Sequence, residues 1–159
     1  MKHSVTLAIV GAGKRGEAYS QYAVEHPNLA QVVAVAEPRQ FQREQLAKAH
    51  RVPAENVFNS WEDLARQPRL ADAALICTQD RMHLEPLLAL APKGYAILLE
   101  KPMAVELAEC EQIVSCVKQH GNLFAVCHVL LYTDFTQRLK AVIDSGRIGE
   151  LVSLQHMEP

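Results

Sequence analysis

The segment AIVGAGKRGEAYS, Ala8 to Ser20, constrains the fold of this chain more than any other. Apolar residues run straight into Gly11, Gly13 and Gly16, spaced Gly-x-Gly-x-x-Gly, and helix formers follow at once. Such a loop is either a cradle for the phosphates of a dinucleotide or only a tight strand-to-helix turn. Three glycines do not decide between these readings, so their surroundings must.

Along the chain, apolar runs alternate with helical patterns. Val5–Val10 reads as a buried strand and Lys14–Glu25 as a helix ended by HPN. QVVAVA, Gln31–Ala36, is the next strand, and a helical stretch follows from Phe41 to His50. NVF predicts a short strand, and Ser60 is placed to cap a helix in SWEDLARQ. Ala73–Cys77 and Tyr95–Glu100 are two further strands, separated by a helix over His83–Ala91. Val105–His120 predicts a helix with Leu107, Cys110, Val114 and Val117 on one face and Gly121 as its terminator. LFAVCHV reads as the last strand of the series.

Near-continuous apolar strands alternating with helices indicate a parallel sheet covered on both faces, a doubly wound α/β fold. The pattern changes near residue 130. Asp134 is expected to cap a helix through FTQRLKAVIDSG, and IGELVSLQHM is expected to begin a strand. This divides the chain into a dinucleotide-binding unit over 1–129 and, over 130–159, the start of a second unit that is cut short.

Composition narrows the function classes. The chain has 159 residues, 49% hydrophobic and 21% charged, with a formal net charge of −2. It carries no run of Lys or Arg long enough to neutralise a series of phosphates, which argues against a nucleic-acid partner and for a small metabolite. The amino terminus enters the glycine turn directly, without the pattern of a secretory leader, and no segment approaches membrane-spanning length. Cys77, Cys110, Cys116 and Cys127 include no Cys-x-x-Cys pair, so no metal site is expected and the thiols are expected to be reduced, as in a cytoplasmic protein.

In this context the loop favours a cofactor. It follows a strand, opens a helix, and is followed about 20 residues beyond Gly16 by Glu37 at the end of the second strand. Gly11 permits the tight turn, Gly13 lets a pyrophosphate approach the backbone, and Gly16 lets helix and strand pack closely. The backbone at Ala12, Lys14 and Arg15 meets the diphosphate at the positive end of the helix dipole. Glu37 can accept hydrogen bonds from the adenosine ribose and disfavours a 2′-phosphate, so NAD is expected ahead of NADP. Arg39 keeps NADP open, because it can stack on the adenine or bind a 2′-phosphate.

Two further stretches put polar groups at the carboxyl edge of the sheet, where ligands sit in such folds. ALICTQDRMHLEP brings Thr78, Gln79 and His83 there, and LLEKPMA brings Glu100, Lys101 and Pro102. A lysine in a cleft can hydrogen-bond a substrate hydroxyl and take part in proton transfer. Read singly, His83 is a helix-start histidine and Lys101 a surface lysine.

Together, GAGKRG, the acid after the second strand, TQDRMH, EKP and SGRIGELVS resemble the glucose–fructose oxidoreductase, inositol dehydrogenase and rhizopine catabolism family, Gfo/Idh/MocA. The resemblance covers essentially the whole chain. It implies a Rossmann domain of an NAD(P)-dependent oxidoreductase acting on sugars, polyols and related alcohols, followed by a larger open-sheet domain through which the protein forms homo-oligomers. It assigns Gly11, Gly13 and Gly16 to the diphosphate, Glu37 to the ribose, and Thr78, Gln79 and His83 to the region between diphosphate and nicotinamide. Glu100 and Lys101 fall near the nicotinamide ribose and substrate, with Pro102 fixing the turn through a cis bond.

The sequence departs from the family in CHVLLYTDF, where Leu130 and Leu131 replace a segment that often carries arginine and Asp134 stands where proline is common. His128 can face the nicotinamide or substrate, or serve only as a junction histidine. The aspartate and histidine that usually join the EKP lysine are expected beyond Pro159. Three alternatives stay open: a methyltransferase, which has no need of EKP; a nucleotide-sensing module without turnover; and a relative using bound NAD for oxidation–elimination on glycosides.

Overall fold

The computed structural model describes residues 4–157. These residues form two compact units that divide between Cys127 and His128.

The first unit is a six-stranded sheet: β1 (Val5–Val10), β2 (Ala30–Ala36), β3 (Val57–Phe58), β4 (Ala73–Ile76), β5 (Ala96–Leu99) and β6 (Phe124–Val126). Their spatial order is β3-β2-β1-β4-β5-β6, and every neighbouring pair is parallel. Parallel pairing requires crossovers, supplied by α1 (Lys14–Glu25), α2 (Gln40–His50), α3 (Trp61–Arg66), α4 (Leu84–Leu90) and α5 (Leu107–His120).

Side-chain alternation along β1 divides the core in two. Leu7 and Ile9 pack with Ala23 of α1 and Leu46 of α2. Ala8 and Val10 face the opposite way, with Leu64 of α3, Leu87 of α4 and Ile113 of α5. Register slips once: Leu7 pairs with Val32 but Ala8 with Ala34, so Val33 is passed over and Val32 and Val35 both join the α1–α2 side. The strand order reverses where β1 lies between β2 and β4, leaving a crevice at their carboxyl ends.

The predicted elements of this unit are all present, with ends shifted by a residue or two, except that the last strand stops at Val126, three residues before the expected Val129. Ser60 caps α3 as predicted, its Oγ accepting from the Asp63 N–H at 3.2 Å, and Gly121 ends α5 in the left-handed region with φ of 65°. The face assigned to α5 is wrong except for Val117. Ile113 and Val117 are buried, whereas Leu107 is 75% exposed and Cys110 and Val114 are only half-buried.

The second unit contains a short 3₁₀ turn at Val129–Tyr132 and the helix α6 (Asp134–Asp144). Its cap is Thr133, not Asp134: the Thr133 hydroxyl accepts from the Thr136 N–H at 3.3 Å, and Asp134 is the first helical residue. The strand expected in IGELVSLQHM does not form; residues 151–157 are exposed and irregular. Such a strand needs a neighbour to satisfy its backbone, and no other strand pairs with it among the described residues.

Candidate functional site

The ladder hydrogen bonds continue one residue past several strand ends. Gly11 N–H donates to Ala36 O at 2.8 Å, Cys77 to Val10 O at 2.7 Å, Glu100 to Ile76 O at 2.9 Å, and Cys127 to Leu99 O at 2.8 Å. Glu37 likewise donates to Phe58 O at 3.1 Å. Glu37, Gly11, Cys77, Glu100 and Cys127 thus form one row across the carboxyl edge.

Gly11 and Gly16 are glycines because the loop is crowded. Gly11 has φ of 94°, and a Cβ there would lie 2.6 Å from Cys77 O. A Cβ on Gly16 would lie 2.0 Å from Gly11 O. Gly13 differs: only the Arg39 guanidinium comes near, at 3.4 Å. It is also the N-cap of α1 and supplies no capping side chain. Beside it opens a cavity of about 580 Å³, bounded by Gly11, Glu37, Arg39, Trp61, Thr78 and Gln79 among others. Open backbone N–H groups at a helix start, next to such a cavity, fit a dinucleotide diphosphate.

Glu37 is buried at the floor of the cavity. Its Oε1 accepts from the Arg39 N–H at 3.0 Å and from Arg39 Nε at 2.8 Å. Oε2 accepts from the Ala12 N–H at 2.8 Å and from Arg39 Nη2 at 3.0 Å. Burial pushes this carboxyl up, but the hydrogen bonds from Arg39 and Ala12 outweigh it and hold Glu37 below the usual carboxylate range. The same pairing pushes the Arg39 guanidinium up.

Glu100 is held in a similar way. Its Oε1 meets Tyr19 Oη and Arg15 Nε, each at 3.1 Å, and Oε2 accepts from the Lys101 N–H at 2.6 Å. Arg15 and Tyr19 lie one turn apart on α1, so that helix both opens the phosphate loop and grips the residue before Lys101. The Lys101–Pro102 bond is cis, as expected, and both residues are exposed. Two thiols flank Glu100 in the row. Burial, with Cys127 and Glu100 nearby, pushes Cys77 up to about 12, and burial pushes Cys127 up as well.

The expected sites do not all face the cavity. Thr78 and Gln79 line it, with the Thr78 hydroxyl donating to Met82 O at 2.9 Å. His83 has no exposed surface for a ligand in this structure. Its Nδ1 lies 2.8 Å from Pro102 O and its Nε2 3.2 Å from Thr78 O, so the ring joins two edge loops instead. His128 begins the second unit and is exposed. Sequence reading missed Trp61 and Met82 in the cavity wall and Tyr19 against Glu100. Only the four-residue spacing of Arg15 and Tyr19 signals the last. No group of three or more His, Cys, Asp or Glu side chains placed to hold a metal ion occurs among the described residues.

A family model described as "Oxidoreductase family, NAD-binding Rossmann fold" matches residues 5–128. Inositol 2-dehydrogenase of Pseudomonas fluorescens is 31% identical over 159 residues, covering 98% of this chain and 47% of that protein. Trans-1,2-dihydrobenzene-1,2-diol dehydrogenase of Bos taurus is 32% identical over 121 residues, covering 76% of this chain and 35% of that protein. The crystal structure of scyllo-inositol dehydrogenase from Lactobacillus casei with bound NAD(H) and scyllo-inositol has a TM-score of 0.83 at 22% identity. That match covers 92% of this chain and 43% of the other, and at this identity it concerns the fold alone. The chain therefore spans less than half the length of each of these relatives.

Proposed function

The chain belongs to the Gfo/Idh/MocA oxidoreductase family with an NAD-binding Rossmann fold, and we propose that it is the dinucleotide-binding part of an enzyme that oxidises a hydroxyl group of a sugar, polyol or related alcohol. The observation that carries this is the contrast within the loop: Gly11 and Gly16 are shut in by backbone, whereas Gly13 is open beside the cavity. A purely structural turn has no use for that opening. The names of the inositol and diol dehydrogenases support a hydroxyl-bearing substrate.

When bound, NAD supplies the hydride acceptor. In the proposed arrangement the backbone N–H groups from Gly13 to Gly16 hold the diphosphate, with Lys14 and Arg15 adding positive charge. Glu37 faces the adenosine ribose, and Thr78 and Gln79 present polar groups farther along the edge. Lys101, exposed after β5, hydrogen-bonds the substrate hydroxyl and assists loss of its proton; Pro102 shapes its turn. Glu100 orients that turn through the Lys101 N–H. His128, just beyond β6, is the second candidate for proton transfer.

The proposal extends to the segment from residue 130 onward as the start of a substrate-side domain and a surface for homo-oligomers, supported by the exposed Phe135 of α6. A cytoplasmic setting is supported by four cysteines that form no disulfide. The test is twofold. NADH titrated into the chain should enhance nicotinamide fluorescence, and Lys101→Ala in the parent enzyme should lower kcat about a hundredfold with NADH affinity unchanged. Absence of NADH binding, or unaltered turnover in Lys101→Ala, would refute the corresponding half.

A further inference from the structure

Oε1 of Glu100 carries two donors of unequal permanence. Arg15 Nε and the Tyr19 hydroxyl both reach it at 3.1 Å, while Oε2 holds the Lys101 N–H at 2.6 Å. Arg15 is the second residue of α1, close to the open Gly13, and its side chain is 53% exposed. An anion at the start of α1 competes with Glu100 for that guanidinium. Tyr19, one turn farther into the helix, is half-buried, and burial with Cys127 and Glu100 beside it pushes its phenol up, so it stays a donor across the physiological range. Glu100 is itself buried and needs a partner for its charge.

We propose that Tyr19 is a positioning residue, which keeps Glu100 and the Lys101 turn in place when the cofactor diphosphate draws Arg15 away. This rests on the dinucleotide reading of the site. With no diphosphate at the loop, both donors hold Oε1. When one settles there, the Arg15 guanidinium turns to it, an anion that its planar fork matches. Oε1 then keeps its bond from Tyr19, Oε2 keeps the Lys101 N–H, and the lysine stays where it was. Without the phenol, diphosphate and Glu100 would compete for one guanidinium. Ligand binding would then loosen the Lys101 turn, and by linkage the turn would weaken ligand binding. Tyr19 touches neither cofactor nor substrate in this arrangement; it acts through Glu100.

ADP is the probe, because it carries the diphosphate but no nicotinamide half that would touch Lys101 directly. Its affinity for the 159-residue chain is measured by calorimetry and the exchange of the Lys101 and Ile9 amides by NMR, with thermal melts to verify folding. In the unmodified chain, ADP should leave Lys101 exchange within about twofold. In Tyr19→Phe, ADP should bind about fivefold more weakly and speed Lys101 exchange about fivefold, with Ile9 in β1 not accelerated; a merely structural tyrosine would move both amides alike. Arg15→Ala should weaken ADP about threefold or more, yet leave Lys101 exchange within about twofold of the parent. ADP speeding Lys101 exchange in the unmodified chain overturns the proposal, as does Lys101 exchange indifferent to ADP in Tyr19→Phe. Should that variant not fold, Arg15→Ala decides: a rise of about tenfold in Lys101 exchange would make Arg15 the residue that holds Glu100, and overturn the proposal. Failure of the unmodified chain to bind ADP or NADH overturns the dinucleotide reading itself, and this inference with it.

Discussion

The Tyr19 hydroxyl donates to Glu100 Oε1 at 3.1 Å, linking the helix that opens the phosphate loop to the residue that precedes Lys101. Arg15 Nε reaches the same oxygen from one turn earlier, and the Lys101 N–H occupies the other. Glu100 is 5% exposed, and its removal leaves the half-buried Tyr19 hydroxyl and the Lys101 N–H without their acceptor, while the more exposed Arg15 turns to water. Glu100→Ala should lose about 2–3 kcal/mol of stability, and Tyr19→Phe about 1 kcal/mol. Because both changes break one network, the double variant should fall short of their sum by 0.5 kcal/mol or more, as a general range for coupled pairs. Urea unfolding of the four proteins measures this; strict additivity would mean that the contact carries no energy.

The glycines should separate folding from binding. Gly16→Ala forces a methyl group against Gly11 O, which is backbone and cannot yield cheaply, so a loss of roughly 2–4 kcal/mol is expected. Gly13→Ala meets only the end of the Arg39 side chain and should change stability by about 1 kcal/mol or less. The methyl would nevertheless stand where a diphosphate approaches, weakening NADH by about tenfold or more. Melting curves and NADH titrations on both variants check the contrast. A Gly13→Ala variant that binds as well as the parent would move the diphosphate elsewhere.

These residues also mark what the sequence makes legible. The strands β1, β4 and β5 are buried on both faces and read as unbroken apolar runs, and the glycine spacing locates the first turn. Periodicity also finds α5, yet it cannot orient it: Leu107-Cys110-Val114 is as apolar a stripe as Ile113-Cys116-Val117, and packing on the sheet chooses the latter. Thr133 and Asp134 are both good caps, and one residue of difference in where the helix begins selects the first. At the site, Glu37 and Arg39 were visible as residue types, but their four-donor arrangement depends on where the glycine loop puts the Ala12 N–H. Tyr19 and Glu100 are 81 positions apart, and only the parallel order of β1, β4 and β5 brings them together.

Glu37 should make stability depend on pH at the acid end. Its carboxyl lies below the usual range when folded, where the hydrogen bonds from Arg39 and Ala12 outweigh burial, and near about 4.3 when unfolded. The unfolded state then binds the proton first on acidification, so this contribution is complete above the unfolded value and is lost as pH falls through the folded one. Urea midpoints between about pH 6 and pH 3 should fall less steeply in Glu37→Gln than in the parent. Parallel curves would show that Glu37 has no linkage to folding.

The thiols on either side of Glu100 give the last expectation. Cys77 and Cys127 lie at the carboxyl edge, where an oxidant or alkylating reagent could interfere with a cofactor site, but the thiolate is the reactive form. With Cys77 pushed up to about 12 by burial and by Cys127 and Glu100 beside it, only about one molecule in ten thousand is ionised there at pH 8. Cys127 is pushed up as well and is buried. Iodoacetamide at pH 8 should therefore modify neither until the protein is unfolded in urea, and NADH affinity should survive the treatment. Peptide mapping of the alkylated chain checks both residues, with half-buried Cys110 as the internal reference. Labelling of Cys77 as fast as Cys110 in the folded chain would mean that the row around Glu100 is open to solvent, and that the carboxylate is held less tightly than its three donors imply.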